Sequence, residues 1–373
     1  MKAVGIILAG GRIERLGALG ALTASRAVSA MPVGSCYRSM DFSLSNMTNS
    51  GINKVAVITQ YNSRSLHDHL SSSKWWGFGR KQGGLFTFSP YRTISSDSWF
   101  RGTADSIYQN ITYLKRSNEP YVVITSGNDI YKMDFNDILS YHEQKDADVT
   151  IAYKQAADDE DPRLFGVLEF DQFERVMDFE EKPLEPQSDL ISLGIYVIGR
   201  TLLIKLLEAT QAEDRFDLVR DVFIRYRKKL RIFGYRFNGY WKTLNSIKAY
   251  YDCNMDFLNR EIRHLFTEEF PYIETKPKDE PPAKFNARAE VRDSLTGSGS
   301  IINGYVRHSV IFRKVYTGEN TDIQDSIIME SSYIGNNCVV SNAILDKEVV
   351  LSDGKRLIGE PGNPIIVAKG SVV

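Results

Sequence analysis

The sequence predicts an α/β domain built on a mainly parallel sheet, followed by a second, all-β domain of short stacked strands. Three observations carry this expectation. Apolar runs at residues 4–8, 55–59, 121–125 and 149–153 end in turn residues and alternate with helical patterns. A charged stretch with four prolines, "PYIETKPKDEPPAKF", interrupts the chain after residue 266. From Ile301 on the helical period vanishes, and β-branched residues recur every five to six positions among Gly, Asn, Ser and Asp.

Strands that alternate with helices argue for a sheet covered on both faces, with ligands beyond the carboxyl ends of its strands. That rule sets "GGRIERL", "TQYNSRS" and "SGNDIY" along one rim. Ala104, Ile107, Tyr108, Ile111 and Leu114 recur on one helix face, with Thr103 as the expected N-cap. The first domain is assigned to residues 1–265, the linker to 266–284 and the second domain to 285–373. In the second domain, Ile334, Val339, Ile344 and Val349 mark coils of a solenoid, each burying its apolar residues on the next. A β-sandwich would need longer alternating strands, and the degenerate final stretch "GKRLIGEPGNPIIV" reads as a terminal cap.

Composition narrows the function. With 373 residues, 42% apolar and 25% charged, the chain has room for two cores. A formal charge of −1 argues against nucleic acid or membrane surfaces as partners and favours small ligands or proteins. The start "AVGIILAGG" is too short to span a bilayer and runs into charged residues, so no export signal is read and a cytoplasmic location is expected. Three cysteines without a CxxC pair fit reduced thiols and offer no zinc site.

Chemistry gathers on the rim. Gly10 and Gly11 allow backbone close to an anion, and Arg12 and Arg15 add fixed positive charge; a tight turn flanked by surface arginines is the competing reading. Gly102 and Thr103 open a helix whose N-terminus either faces a ligand or is simply capped. Glu181 and Lys182, before Pro183, pair a hydroxyl acceptor with a phosphate-binding ammonium, or form a solvated charge run.

The segments "GGRIERL", "YRSMDFSLSNMTNSGI", "VITQYNSRSLHDHL", "WFRGTADSIYQN", "SGNDIYKMD", "FGVLEF", "FEEKP", "SLGIYVI" and "GYWKTLNSIKAY" occur in one order. In that order they resemble the bacterial ADP-glucose pyrophosphorylases (glucose-1-phosphate adenylyltransferases) over nearly the whole chain. The resemblance implies a Rossmann-like nucleotidyltransferase domain, a carboxyl-terminal left-handed parallel β-helix, ATP and glucose 1-phosphate as substrates, and an allosteric tetramer. It also implies sugar phosphate contacts at Gly166, Glu181, Lys182 and Ser192, beside Gly194. Gln60, Trp99 and the stretch from Gly102 to Asp105 match positions near the adenine or the allosteric relay.

The departures from that pattern matter most. Where the family reads "GDHIY", this chain has Asn128 before Asp129, so an amide stands at an expected metal aspartate. "YWxDVGT" becomes "YWKTLNS", which puts Thr243 at the second metal aspartate. "RxKPA" becomes Arg26 and "AVSA", with Val28 where a phosphate-contacting lysine is expected. Ile13 and Glu14 alter the first loop, and Ser25 replaces a neighbouring basic residue. A full-length relative without its metal centre resembles the GlgD-type subunit of this family. The expectation is therefore a regulatory, scaffolding partner of a catalytic subunit in a heterotetramer. It would hold no tightly bound cofactor, keep a vestigial site for nucleotide or sugar phosphate, and leave Mg²⁺ to the catalytic chain. The alternatives are an active adenylyltransferase, with Asp129 taking the metal, and a stand-alone sensor of sugar phosphates or nucleotides.

Overall fold

The computed structural model describes residues 3–10, 19–79, 83–91, 99–158 and 160–373. The first domain is built on one mixed, mostly parallel sheet. Its centre, Ala3–Ala9, pairs in parallel with Lys54–Thr59 and with Tyr121–Ser126, and Gly84–Phe88 extends the parallel edge. Leu190–Gly199 then runs antiparallel to Tyr121–Ser126 and to Val149–Gln155, and Ile232–Arg236 joins the latter in parallel. The hairpin of Gly166–Phe170 and Val176–Glu181 closes this side. Val4, Ile6 and Ile124 look into one core cluster and Ile7, Val57 and Val123 into the opposite one, which is why these strands read as unbroken apolar runs.

The helical pattern after residue 102 resolves into two helices, Thr103–Gln109 and Ile111–Lys115. Asn110 interrupts them, its side-chain amide donating back to Ser106 O at 2.8 Å. Gly102, not Thr103, holds the N-cap position; the Thr103 hydroxyl accepts from Leu218 N at 2.8 Å.

The second domain is a left-handed parallel β-helix. Its coils stack into three sheets of five short parallel strands each. Asp293, His308, Asp325 and Asn342 turn one corner with left-handed φ near +45°, at φ values of 46°, 41°, 45° and 48°. Asp and Asn tolerate that region best, which accounts for much of the interleaved polar pattern. Ile302, Ile311, Ile323, Ile328, Ile334, Val340, Leu345 and Leu351 fill the interior. Two marker positions of the sequence reading fall elsewhere: Val339 points outward and Val340 inward, while Ile344 faces the first domain rather than the coil interior. A period of five to six cannot tell adjacent β-branched residues apart.

That apolar outer face joins the two domains. Val310, Phe312, Ile327, Met329 and Ile344 pack with Leu19, Leu22, Val28, Tyr250, Phe257 and Phe266. Beside this contact Glu330 bridges Arg313 (2.8 Å) and Lys347. Burial raises the Glu330 carboxyl, but the two cations outweigh it and hold the group down at about 2. Cys253 and Cys338 are buried free thiols and Cys36 is an exposed one. Among the described residues, no helix is long and apolar enough to cross a membrane.

Candidate functional site

At the carboxyl end of Ala3–Ala9, Gly10 lies so close to the next strand end that a Cβ would sit 3.1 Å from Gln60 Cβ and 3.2 Å from Gln60 N. Any larger residue would press the two strand ends apart by a few tenths of an ångström there. Gly11, Arg12 and Arg15, with Ile13 and Glu14, lie outside the described residues. Gln60 uses its amide on the backbone of Phe100, accepting from its N–H at 3.0 Å and donating to its carbonyl at 3.4 Å. It therefore fixes the approach to residue 102 as a strut. Tyr61 and Trp99 stack on each other at the mouth, with centroids 5.5 Å apart and planes 7° from parallel.

Gly10, Gln60, Tyr61, Arg101, Gly102 and Arg220 line a cleft of ≈ 990 Å³ together with the loop from Glu213 to Asp217. The helix N-terminus at residue 103 does not open freely into it. The Phe216 carbonyl accepts from Ala104 N (2.7 Å) and Asp105 N (3.2 Å), and a Cβ on Gly102 would lie 2.4 Å from that same oxygen. Asp105 is buried and accepts from Arg101 N (2.8 Å) and Gln109 Nε2 (2.9 Å). Gly102 and Asp105 thus serve an internal cap, with the Arg101 guanidinium stacked 3.7 Å from the Phe216 ring centre.

The residues expected to contact a sugar phosphate converge on one end of the sheet. Ser192 lies beside an irregularity of strand Leu190–Gly199, where Gly194 adopts φ +68°, and its hydroxyl is 3.5 Å from the Tyr196 hydroxyl. Gly166 makes room for Glu181: a Cβ there would approach Phe179 to 2.6 Å and Glu181 Oε2 to 3.1 Å. Burial raises the Glu181 carboxyl; Lys182 and Arg220 pull it down while Asp217 pushes it up, so all four groups share one neighbourhood. Lys182 is exposed, holds left-handed φ (+52°) and keeps its ammonium 3.9 Å from Glu181. Reading the sequence missed Tyr196, Asp217 and Arg220. Trp241 is only 4% exposed, and its indole N–H has no hydrogen-bond partner among the described residues. The quoted segment "SLGIYVI" contains Tyr196, but only the fold aims it at this end.

Asn128 and Thr243 do come together. Strands Asp129–Tyr131 and Trp241–Thr243 pair antiparallel with Asp129 opposite Thr243, and the Asn128 carbonyl accepts from Leu244 N at 3.1 Å. Val28 is 6% exposed and packs in the cluster that includes Leu19, Leu22, Ile130 and Leu244. Asp129 is 3% exposed; burial pushes its carboxyl up to about 7, partly offset by a hydrogen bond with the Thr243 side chain. A magnesium ion wants charged, open carboxylate oxygens in near-octahedral array. Two neutral side chains and a buried carboxyl committed to Thr243 do not fit it.

Comparison with known proteins gives the same outline. The Nucleotidyl transferase family model matches residues 4–260, and the GlmU-like, C-terminal hexapeptide model matches 281–362. The chain is 37% identical to a glucose-1-phosphate adenylyltransferase of Bacillus cytotoxicus, over 98% of this chain and 98% of that protein. It is also 37% identical to those of Bacillus mycoides and Bacillus anthracis, over 99% of this chain and 98% of each.

Proposed function

The chain belongs to the Nucleotidyl transferase family and, within it, to the glucose-1-phosphate adenylyltransferases (ADP-glucose pyrophosphorylases) of glycogen synthesis, and from that premise we propose that it is a non-catalytic, GlgD-type subunit. In this reading it assembles with a catalytic relative into a heterotetramer and modulates it. The observation that carries the reading is the adjacent pair Asn128 and Thr243, neutral at both positions where the family pattern has metal-binding aspartates.

The family reaction joins a sugar phosphate oxygen to the α-phosphorus of ATP with loss of pyrophosphate. Nearly all of its catalysis is positioning and charge neutralisation. Loss of one such charge contact commonly costs ~10² to 10³ in rate. Two lost carboxylates and a valine at the lysine position therefore leave little turnover, although such losses do not simply add. Gly166, Glu181, Lys182 and Ser192 remain, with Glu181, Lys182, Asp217 and Arg220 in one neighbourhood, which supports a retained sugar phosphate subsite. A subunit that binds ligand and partner without chemistry biases an equilibrium by contacting its states differently.

The test is restoration. Asn128→Asp with Thr243→Asp is expected to bring ADP-glucose formation by the isolated chain above background, in proportion to added Mg²⁺. Val28→Lys is best added last, because it buries an ammonium among leucines and is expected to cost about 2 to 4 kcal/mol of stability in urea melts. A folded, metal-competent variant with no turnover would show that residues outside this pair also disable the site. Failure of the chain to associate with a catalytic relative would favour the stand-alone sensor instead.

A further inference from the structure

Residues 19–33 bridge the two domains. On one side they are tied to the cleft: Ala27 N donates to Asn62 O at 3.1 Å, and Asn62 Nδ2 donates back to the carbonyls of Thr23 (3.0 Å) and Ala24 (3.3 Å). Asn62 holds left-handed φ (+46°) directly after Gln60 and Tyr61, which line the cleft. On the other side Leu19, Leu22, Val28 and Met31 pack with the outer face of the β-helix. One ion pair crosses that contact. Arg26 Nη2 donates to both Asp346 oxygens, at 2.7 and 2.9 Å, and Nη1 lies 3.6 Å from Met329 Sδ. The two side chains are 4% and 1% exposed.

Apolar contact is non-directional and lets surfaces slide, whereas a forked guanidinium–carboxylate pair fixes one register. A buried pair is weak evidence for stability and better suited to specifying arrangement. We propose that Arg26 and Asp346 form a positioning link between the domains. Through Ala27 and Asn62 this link sets residues 60–62, so a displacement of the β-helix displaces the wall of the cleft. Its use in regulation rests on the modulatory reading above, but the link itself does not.

Hydrogen exchange of the full chain tests it, by a readout independent of turnover. Arg26→Lys keeps the charge and loses the fork. Arg26→Met combined with Asp346→Leu removes both charges, so no unpaired buried charge threatens folding. In both variants, exchange at Ala27, whose N–H donates to Asn62 O, and at Phe100, whose N–H donates to Gln60 Oε1, is expected to quicken about tenfold or more, while Tyr121–Ser126 and Ile327–Ile328 keep wild-type rates. Wild-type rates at Ala27 and Phe100 in the folded double variant would overturn the link. A uniform rise across both domains would overturn it as well, since it would reduce the pair to general stabilisation.

Discussion

Asp129 tests the metal argument at the scale of one residue. Its folded carboxyl, pushed up to about 7 by burial, lies above its ordinary value of 3.8. The folded state therefore holds a proton that the unfolded chain releases, and stability falls as pH rises from about 4 to about 7, then levels off. Asp129→Asn removes that penalty while keeping a partner for Thr243. The variant is expected to melt higher than the parent at pH 8, by an amount worth a few kcal/mol, and together with it at pH 4. An Asp129 that stays charged in the native state would show no such pH-dependent gap. The expectation at Asn128 and Thr243 needed the sequence alone, because it turns on residue identity. The sequence could not reveal that Asp129 turns inward, which depends on the register of two short strands.

Elements carry the next set of consequences. In the β-helix, alternation assigns Val340 to the interior and Val339 to the surface. Val340→Asp is expected to cost more than about 3 kcal/mol, whereas Val339→Asp should stay within about 0.5 kcal/mol in the same denaturant series. At the domain junction, Glu330 has its carboxyl lowered from 4.5 to about 2, so its contribution is present above pH 4.5 and is lost as pH falls through 2. Glu330→Gln is therefore expected to lower Tm at pH 7, and the difference should close near pH 2. Alternating strands and helices, and the switch to a solenoid, were readable because hydrophobic period is a local property. The break at Asn110 and the cap from Phe216 were not readable. The cap depends on a loop more than a hundred residues away, which supplies the partner that Ala104 N and Thr103 Oγ need, whereas the break comes from the Asn110 amide reaching back to Ser106 O.

For the whole molecule, the order of the motifs pointed to the family, and the comparisons over nearly the full chain establish it. Motif order identifies a fold and a lineage, but activity rests on a few charges held in register. In the proposed reading, this chain keeps the scaffold and the residues expected at the sugar phosphate, and carries Asn128 and Thr243 where metal carboxylates are expected. The proposed modulatory role makes a prediction about mixtures: addition of this chain to a catalytic relative should change that enzyme's kcat, KM or effector response, with a stoichiometry that saturates at complex formation. The measurement that tests the account most directly is ADP-glucose formation from Mg-ATP and glucose 1-phosphate by the purified, folded chain, free of any catalytic relative. The account predicts turnover no greater than background, whereas robust Mg²⁺-dependent turnover would contradict it by showing that the chain still holds a working metal site.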